Sequence, residues 1–374
     1  MAGTGTGGDL NLTGGGNFMV RAGRERARRR SVGLAVAGAG VIAVGAGVLW
    51  PTVLSHRNTA YAGSSGGVIP IPSADASAAG SYWASRLSTT ASPTAPKASG
   101  SAAAIINGGS ALPNPTANGI GPSSSSGNQK AAFSAAAGSP MAVSSPLSGG
   151  AFSGVSQVGA MFSTSDGSIS GQGHYCTGSV VNSPEGDIVV TAAHCVYDSS
   201  GVYTDIAFVP GYHDGQDPYG VWIPSAVIVP PQWASSSDPN YDVAFLVVHE
   251  EGSGTKIQDM VGGDDLGLTP GYTNLTQVVG YPESTEQPVS CTNYTAEFSD
   301  SSLTTPQLQF DCDNYPGGTS GGPFLQAVDS NTELGTVVGV IGGYEAGGDD
   351  PDVSYSVYFG DWVGSLYAQA ESEG

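Results

Sequence analysis

The sequence predicts an all-β domain over residues 151–374, preceded by an apolar helix at 31–55 and a low-complexity linker at 56–150. Three observations lead there. Short β-favouring runs recur through the C-terminal part, separated by Gly, Pro, Asp and Asn. The stretch before them is built almost entirely from Ser, Ala, Gly, Pro, Thr and Asn. Ahead of that, an uncharged apolar segment follows a cluster of arginines.

Residues 1–30 end in six arginines between Arg21 and Arg30, and 31–55 carry no charged side chain. The core of that segment, VGLAVAGAGVIAVGAGVLW at 32–50, is long enough for a helix that crosses a hydrocarbon layer. The arginines would hold its start in the cytoplasm and send the remainder outward. Two outcomes fit: an uncleaved signal anchor, or a signal peptide cut after Ala60-Tyr61-Ala62. Residues 56–150 are too poor in apolar and aromatic side chains to offset the entropy of ordering, so they read as a flexible linker or stalk.

In 151–374 the expected strands fall at 158–162, 178–182, 188–192, 205–210, 221–230, 243–249, 276–281, 289–298, 308–312, 322–326, 336–342 and 355–359. Their β-branched and aromatic content argues for a sandwich or barrel. Only the end reads as helix, where Trp362, Val363, Leu366 and Tyr367 recur at helical spacing. This part holds 29 Asp and Glu against one basic residue, Lys256. Such acidity excludes phosphate backbones and anionic lipid surfaces as partners.

The four cysteines, Cys176, Cys195, Cys291 and Cys312, all lie in this domain. An even number in an exported chain points to two disulfides, with three connectivities open. No Cys-x-x-Cys or His-x-x-x-His spacing supports a metal site.

The chemistry concentrates in Thr191-Ala192-Ala193-His194-Cys195 and in Gly317-Gly318-Thr319-Ser320-Gly321-Gly322-Pro323. A serine needs a base within hydrogen-bond reach to become a nucleophile, and its anionic intermediate needs backbone N–H donors aimed at one point. Glycines flanking Ser320 allow such a turn. The third member should be a carboxylate that orients the imidazole. Asp242 heads the apolar run at 243–248, where a lone charge would be costly without a partner. Asp238, in a polar turn, is the rival. His174 reads as structural, His213 as a loop residue and His249 as a solvated strand end, while Ser179 and Ser354 lack a glycine frame.

With these motifs in the order His, Asp, Ser, residues 151–370 resemble the trypsin-like, chymotrypsin-fold serine peptidases of exported bacterial type. His-Tyr-Cys-Thr-Gly-Ser-Val-Val (174–181), Thr-Ala-Ala-His-Cys, Asp-Val-Ala-Phe-Leu and Gly-Thr-Ser-Gly-Gly-Pro carry the likeness. The turn Gly280-Tyr281-Pro282 and the terminal helix are similar to the glutamyl-endopeptidase-like branch. The resemblance implies a double six-stranded β-barrel hydrolysing peptide bonds, with Ser320 as nucleophile, His194 as base and Asp242 as its orienting partner. It implies an oxyanion hole from the N–H groups of Gly318 and Ser320, and bridges Cys176–Cys195 and Cys291–Cys312. Polypeptides would be the substrates, acted on outside the cell by a monomer without metal or organic cofactor. The alternative is an inactive, peptidase-like surface-binding module.

Two departures from the family stand out. Members activated by a new N-terminus carry Asp directly before the serine, where this chain has Thr319, so activity without a defined cut is expected. Trypsin-type pockets carry Asp six residues before the nucleophile, where this chain has Asn314. The pocket wall is assigned to Gly342, Gly343, Tyr344 and Glu345, which leaves preference open between basic and small or apolar side chains. No histidine falls in that wall, which argues against a glutamyl preference.

Overall fold

The computed structural model describes residues 66–87, 105–107, 147–164, 173–250 and 252–374. The cytoplasmic terminus expected at 1–30 and the apolar helix expected at 31–55 lie outside them. Among the described residues no helix is long and apolar enough to cross a membrane.

Two sheets carry the fold. The first runs Gly67–Pro70, Ile223–Val229, Ala244–His249, Ile188–Thr191, Cys176–Val181, Val158–Phe162 and Ala207–Pro210, each antiparallel to its neighbour. Phe208 and Trp222 exchange backbone hydrogen bonds of 2.8 and 2.9 Å, which folds the last strand back towards the start of 223–229. The second sheet runs Val353–Ser356, Gln307–Asp311, Val289–Phe298, Leu275–Gly280, Pro323–Gln326, Thr336–Val340, Asp265–Leu268 and Ile105–Asn107, with Gly150–Ala151 paired to 289–298.

Among the described residues, hydrogen bonding thus gives seven and nine strands rather than six and six. Three of the additions, 67–70, 105–107 and 150–151, come from chain that its composition assigns to the linker or its boundary. A fourth, Asp265–Leu268, pairs parallel with Thr336–Val340. Its Asp265 and Gly267 leave no apolar run to read.

Residues 66–87 correct the linker expectation. Gly67–Pro70 continues the first sheet beside 223–229, and Ser73–Ala84 forms a helix with Ala76, Ala79, Gly80 and Trp83 buried. That spacing places small residues on one face, so the helix backbone can approach the barrel closely. Trp83 is 1% exposed, lies 5.3 Å from the Phe162 ring and donates its indole N–H to the Asp205 carbonyl at 2.6 Å. One buried tryptophan supplies apolar area that the surrounding Ser and Ala cannot, and it anchors the segment.

The terminal helix is as expected. Asp361–Glu371 buries Val363, Leu366, Tyr367 and Ala370, and Tyr367 donates its hydroxyl to the Asn182 carbonyl. Its apolar face joins the largest core cluster, which includes Phe245, Leu266 and Val337 from both sheets. Both disulfides form, Cys176–Cys195 and Cys291–Cys312.

Candidate active site

His194 lies in a short turn, Ala193–Cys195, directly after the buried strand Ile188–Thr191. The Cys176–Cys195 bridge and a hydrogen bond from the Tyr175 hydroxyl to the Cys195 carbonyl (2.6 Å) hold that turn from both sides. The imidazole keeps a 21% exposed edge, with the Trp233 ring 6.4 Å away.

Asp242 is fully buried at the start of the strand Ala244–His249. Its Oδ1 accepts the His194 backbone N–H (2.9 Å), and its Oδ2 pairs with His194 Nδ1 (2.8 Å). Oδ2 also accepts the backbone N–H of Gly343 at 2.8 Å. Burial alone would push the Asp242 carboxyl up, but the His194 charge and these hydrogen bonds hold it below its ordinary value. Burial likewise works to lower His194, and the Asp242 charge and hydrogen bond outweigh it, leaving the imidazole raised. Asp238, the rival aspartate, is committed elsewhere: its carboxylate caps the turn Pro239–Tyr241 by accepting from the backbone and side-chain N–H of Asn240.

Ser320 sits half-buried in a turn that glycines make possible. Gly318 has φ +95°, and a Cβ there would collide with the Glu283 nitrogen and the Tyr281 carbonyl. Gly321 has φ +79°, and a Cβ there would strike the Thr177 carbonyl and the Thr191 hydroxyl. The same contacts press the serine turn against Thr191 and Ala192, at the end of the strand that leads into His194. The Ser320 carbonyl accepts from Thr177 N–H (2.7 Å), and Gly321 N–H bonds the Ile341 carbonyl (2.7 Å). Among the described residues, the N–H groups of Gly318 and Ser320 have no protein acceptor. They therefore remain available to an anion. Thr319 is buried and returns its hydroxyl to the Pro316 carbonyl (2.8 Å).

Gly342 and Gly343 run beside the aspartate, where a Cβ on Gly342 would lie 3.1 Å from Asp242 Oδ2. Tyr344 continues into an aromatic cluster with Phe298 and Tyr355, with centroids 4.8 and 5.2 Å away, and Glu345 is exposed. Asn314 is exposed. Its amide donates to the Gly149 carbonyl (2.9 Å), and it lines a groove of about 290 Å³ with Pro282, Thr285, Glu286 and Pro316. The family resemblance groups Asn314 with 342–345, but the lining of this groove includes none of those four.

His174 is buried against the Thr285 carbonyl (2.9 Å), and burial lowers its basicity. His213 sits beside Asp214, and His249 ends its strand opposite Ile223. Ser179 donates to Asp264, and Ser354 is buried within its strand. Cys176, His194 and Cys195 lie close enough to suggest a metal cluster, but the disulfide takes both sulfurs out of ligand chemistry. The Gly343 N–H and the amides of Asn240 and Gln307 went unread, because no local motif marks a residue whose partner is distant in sequence.

A family model described as Trypsin matches residues 153–363. Among solved structures, the fold is similar to a protease, Anisep, from Arthrobacter nicotinovorans. Identity is 29% and the TM-score 0.52, covering 59% of this chain and 98% of that one. It is also similar to AL20, a thermostable serine protease from an extremophilic microorganism, at 24% identity and TM-score 0.50, with the same coverage of 59% and 98%. No curated protein matches the sequence.

Proposed function

Since the chain belongs to the trypsin family and is a serine peptidase with a mostly β, chymotrypsin-like fold, we propose that it cleaves polypeptides through an acyl-enzyme on Ser320. His194 and Asp242 complete the triad in this reading. The observation that carries it is the buried Asp242 carboxylate bonded to His194 Nδ1. That bond leaves Nε2 as the free ring nitrogen, in the tautomer a general base requires.

In the first step the Ser320 hydroxyl oxygen attacks the substrate carbonyl carbon as its proton passes to His194 Nε2. The resulting oxyanion takes hydrogen bonds from the Gly318 and Ser320 N–H groups. His194 then gives its proton to the departing amine, and the C–N bond breaks. Water, deprotonated by the same imidazole, attacks the ester, and Ser320 recovers its proton as the acid leaves. Gly342 and Gly343 would form the pocket wall beside Asp242, and Tyr344, Glu345 and Asn314 are the candidates for side-chain selection. The locally bonded Thr319 supports a domain active without a new N-terminus.

The two disulfides favour action outside the cell. Residues 1–30 would stay cytoplasmic, 31–55 would export or anchor the chain, and the part of 56–150 outside the docked 66–87 would connect to a peptidase domain at 151–374. The acidity of that domain speaks against nucleic acid as a partner, and we take it to act as a monomer. The test is active-site labelling. A fluorophosphonate should modify the wild-type chain and leave Ser320→Ala unmodified, and an unlabelled but folded wild type would favour the surface-binding module.

A further inference from the structure

Asp242 stands just before a strand of the first sheet and 342–344 follow a strand of the second, yet Gly343 N–H must meet Asp242 Oδ2. What holds them in register is a pair of buried side-chain amides. Gln307, 1% exposed, donates from Nε2 to the Pro239 carbonyl at 2.8 Å and accepts Tyr344 N–H on Oε1 at 2.9 Å. Pro239 stands three residues before Asp242, and Tyr344 directly follows Gly343. The side chain therefore bridges the segments that end on either side of the Gly343–Asp242 bond. Its two partners are a backbone acceptor and a backbone donor, so only one orientation of the amide satisfies both.

Asn240 works on the same seam from the first sheet. Its Oδ1 accepts the N–H groups of Thr304 (2.9 Å) and Thr305 (3.3 Å), just before the strand Gln307–Asp311, and its Nδ2 donates to Asp238. The 304–307 segment is thus fastened twice to 239–240. Gln307 also lies against Gly343, where a Cβ would come within 2.6 Å of Oε1.

We propose that Gln307 and Asn240 form a positioning clamp that sets Asp242 against Gly343 N–H and fixes the 342–344 segment as the substrate wall. This rests on the triad reading above, in which Asp242 orients His194. Gln307 touches no reacting atom and acts through Pro239 and Tyr344. Without it, the Pro239 carbonyl and Tyr344 N–H lose buried partners, and the two segments move to find new ones.

The test is Gln307→Met, which keeps side-chain length and removes both hydrogen bonds. Its fluorophosphonate labelling rate is measured against pH, because a small phosphonate reads nucleophile activation without using the extended wall. Labelling should slow about tenfold or more, the scale of one lost hydrogen bond to a charged group. Its acid midpoint should move down, since Asp242 is the charged group facing His194. With a peptide substrate kcat should fall and KM rise, well below the unfolding temperature, where a purely structural role would move neither. Gln307→Glu, which keeps an acceptor for Tyr344, should recover part of the rate. Wild-type labelling together with an unchanged rate and midpoint in Gln307→Met overturns the clamp, whereas absent wild-type labelling overturns the triad reading itself. Should Gln307→Met fail to fold, Asn240→Ser opens the same seam from the other side, and labelling equal to wild type would again overturn the clamp.

Discussion

Gly343 donates its backbone N–H to Asp242 Oδ2 at 2.8 Å, so the chain leaving a strand of the second sheet supplies one of the hydrogen bonds that sustain a buried charge at the head of a strand of the first. A side-chain donor could make the same contact. A backbone donor ties it instead to the path of the chain that follows Ile341, whose N–H and carbonyl are held by Gly322 and Gly321. The aspartate, the 341–343 segment and the serine turn are therefore linked through main chain.

Gly343→Ala should disturb that link. Gly343 has φ +98°, which an alanine adopts only under strain, and its Cβ would press on the Gln307 amide. We expect kcat/KM to fall by about tenfold to a hundredfold, the scale of one lost charge-assisted hydrogen bond. Steady-state kinetics beside a thermal melt separates this from unfolding.

Activity should fall in acid with a midpoint above the ordinary imidazole value of 6.5, because Asp242 raises His194 and only neutral imidazole accepts the serine proton. Asp242→Asn should move the midpoint down and cost on the order of 10⁴-fold in kcat, the loss seen when the orienting carboxylate of such a triad is neutralised. A pH–rate profile of both proteins measures the shift. A midpoint unmoved by the substitution would contradict the assignment.

Gly318→Ala should damage the proposed oxyanion hole with His194 and Asp242 intact. At φ +95°, with the Glu283 nitrogen and Tyr281 carbonyl in the way, the turn must shift and re-aim its N–H. Losing one such donor costs about 10²–10³-fold in kcat. The check is kcat with KM near its wild-type value.

Asp264 predicts a stability effect remote from the chemistry. It is fully buried, bonded to Gly335 N–H, Ser179 and Gln157, and burial pushes its carboxyl up to about 7 from 3.8. The folded state then binds more protons than the unfolded one between those values, so this contribution is full below pH 3.8 and lost as pH rises through about 7. Asp264→Asn should flatten that dependence and leave the protein about 1–3 kcal/mol more stable than wild type at pH 8, allowing for partial relaxation around the charge. Urea unfolding at pH 5 and pH 8 gives the two slopes, and equal slopes would refute it.

Trp83→Ala should destabilise the domain by about 3–5 kcal/mol, the usual cost of emptying a buried aromatic site. Fluorophosphonate labelling at low temperature should be unchanged, because Trp83 packs on Phe162 rather than on the triad. A denaturant midpoint that does not move would mean that residues 66–87 contribute nothing to folding.

The sequence alone determined the kind of chemistry and the class of fold. His194, Asp242 and Ser320 stand in short local patterns, the cysteines could be counted, and the apolar spacing of 362–367 marked the terminal helix, because each signal is complete within a few residues. The tertiary structure decided what depends on distant partners. Gly343 lies 101 positions from Asp242 and Gln307 lies 68 from Pro239, so nothing near either residue announces its role. Residues 66–87 looked like the rest of a Ser- and Ala-rich linker, because alanines and a glycine bury a helix face without raising its hydrophobicity. What makes them part of the domain is Trp83 finding Phe162 and the Asp205 carbonyl, and only the folded chain brings those together.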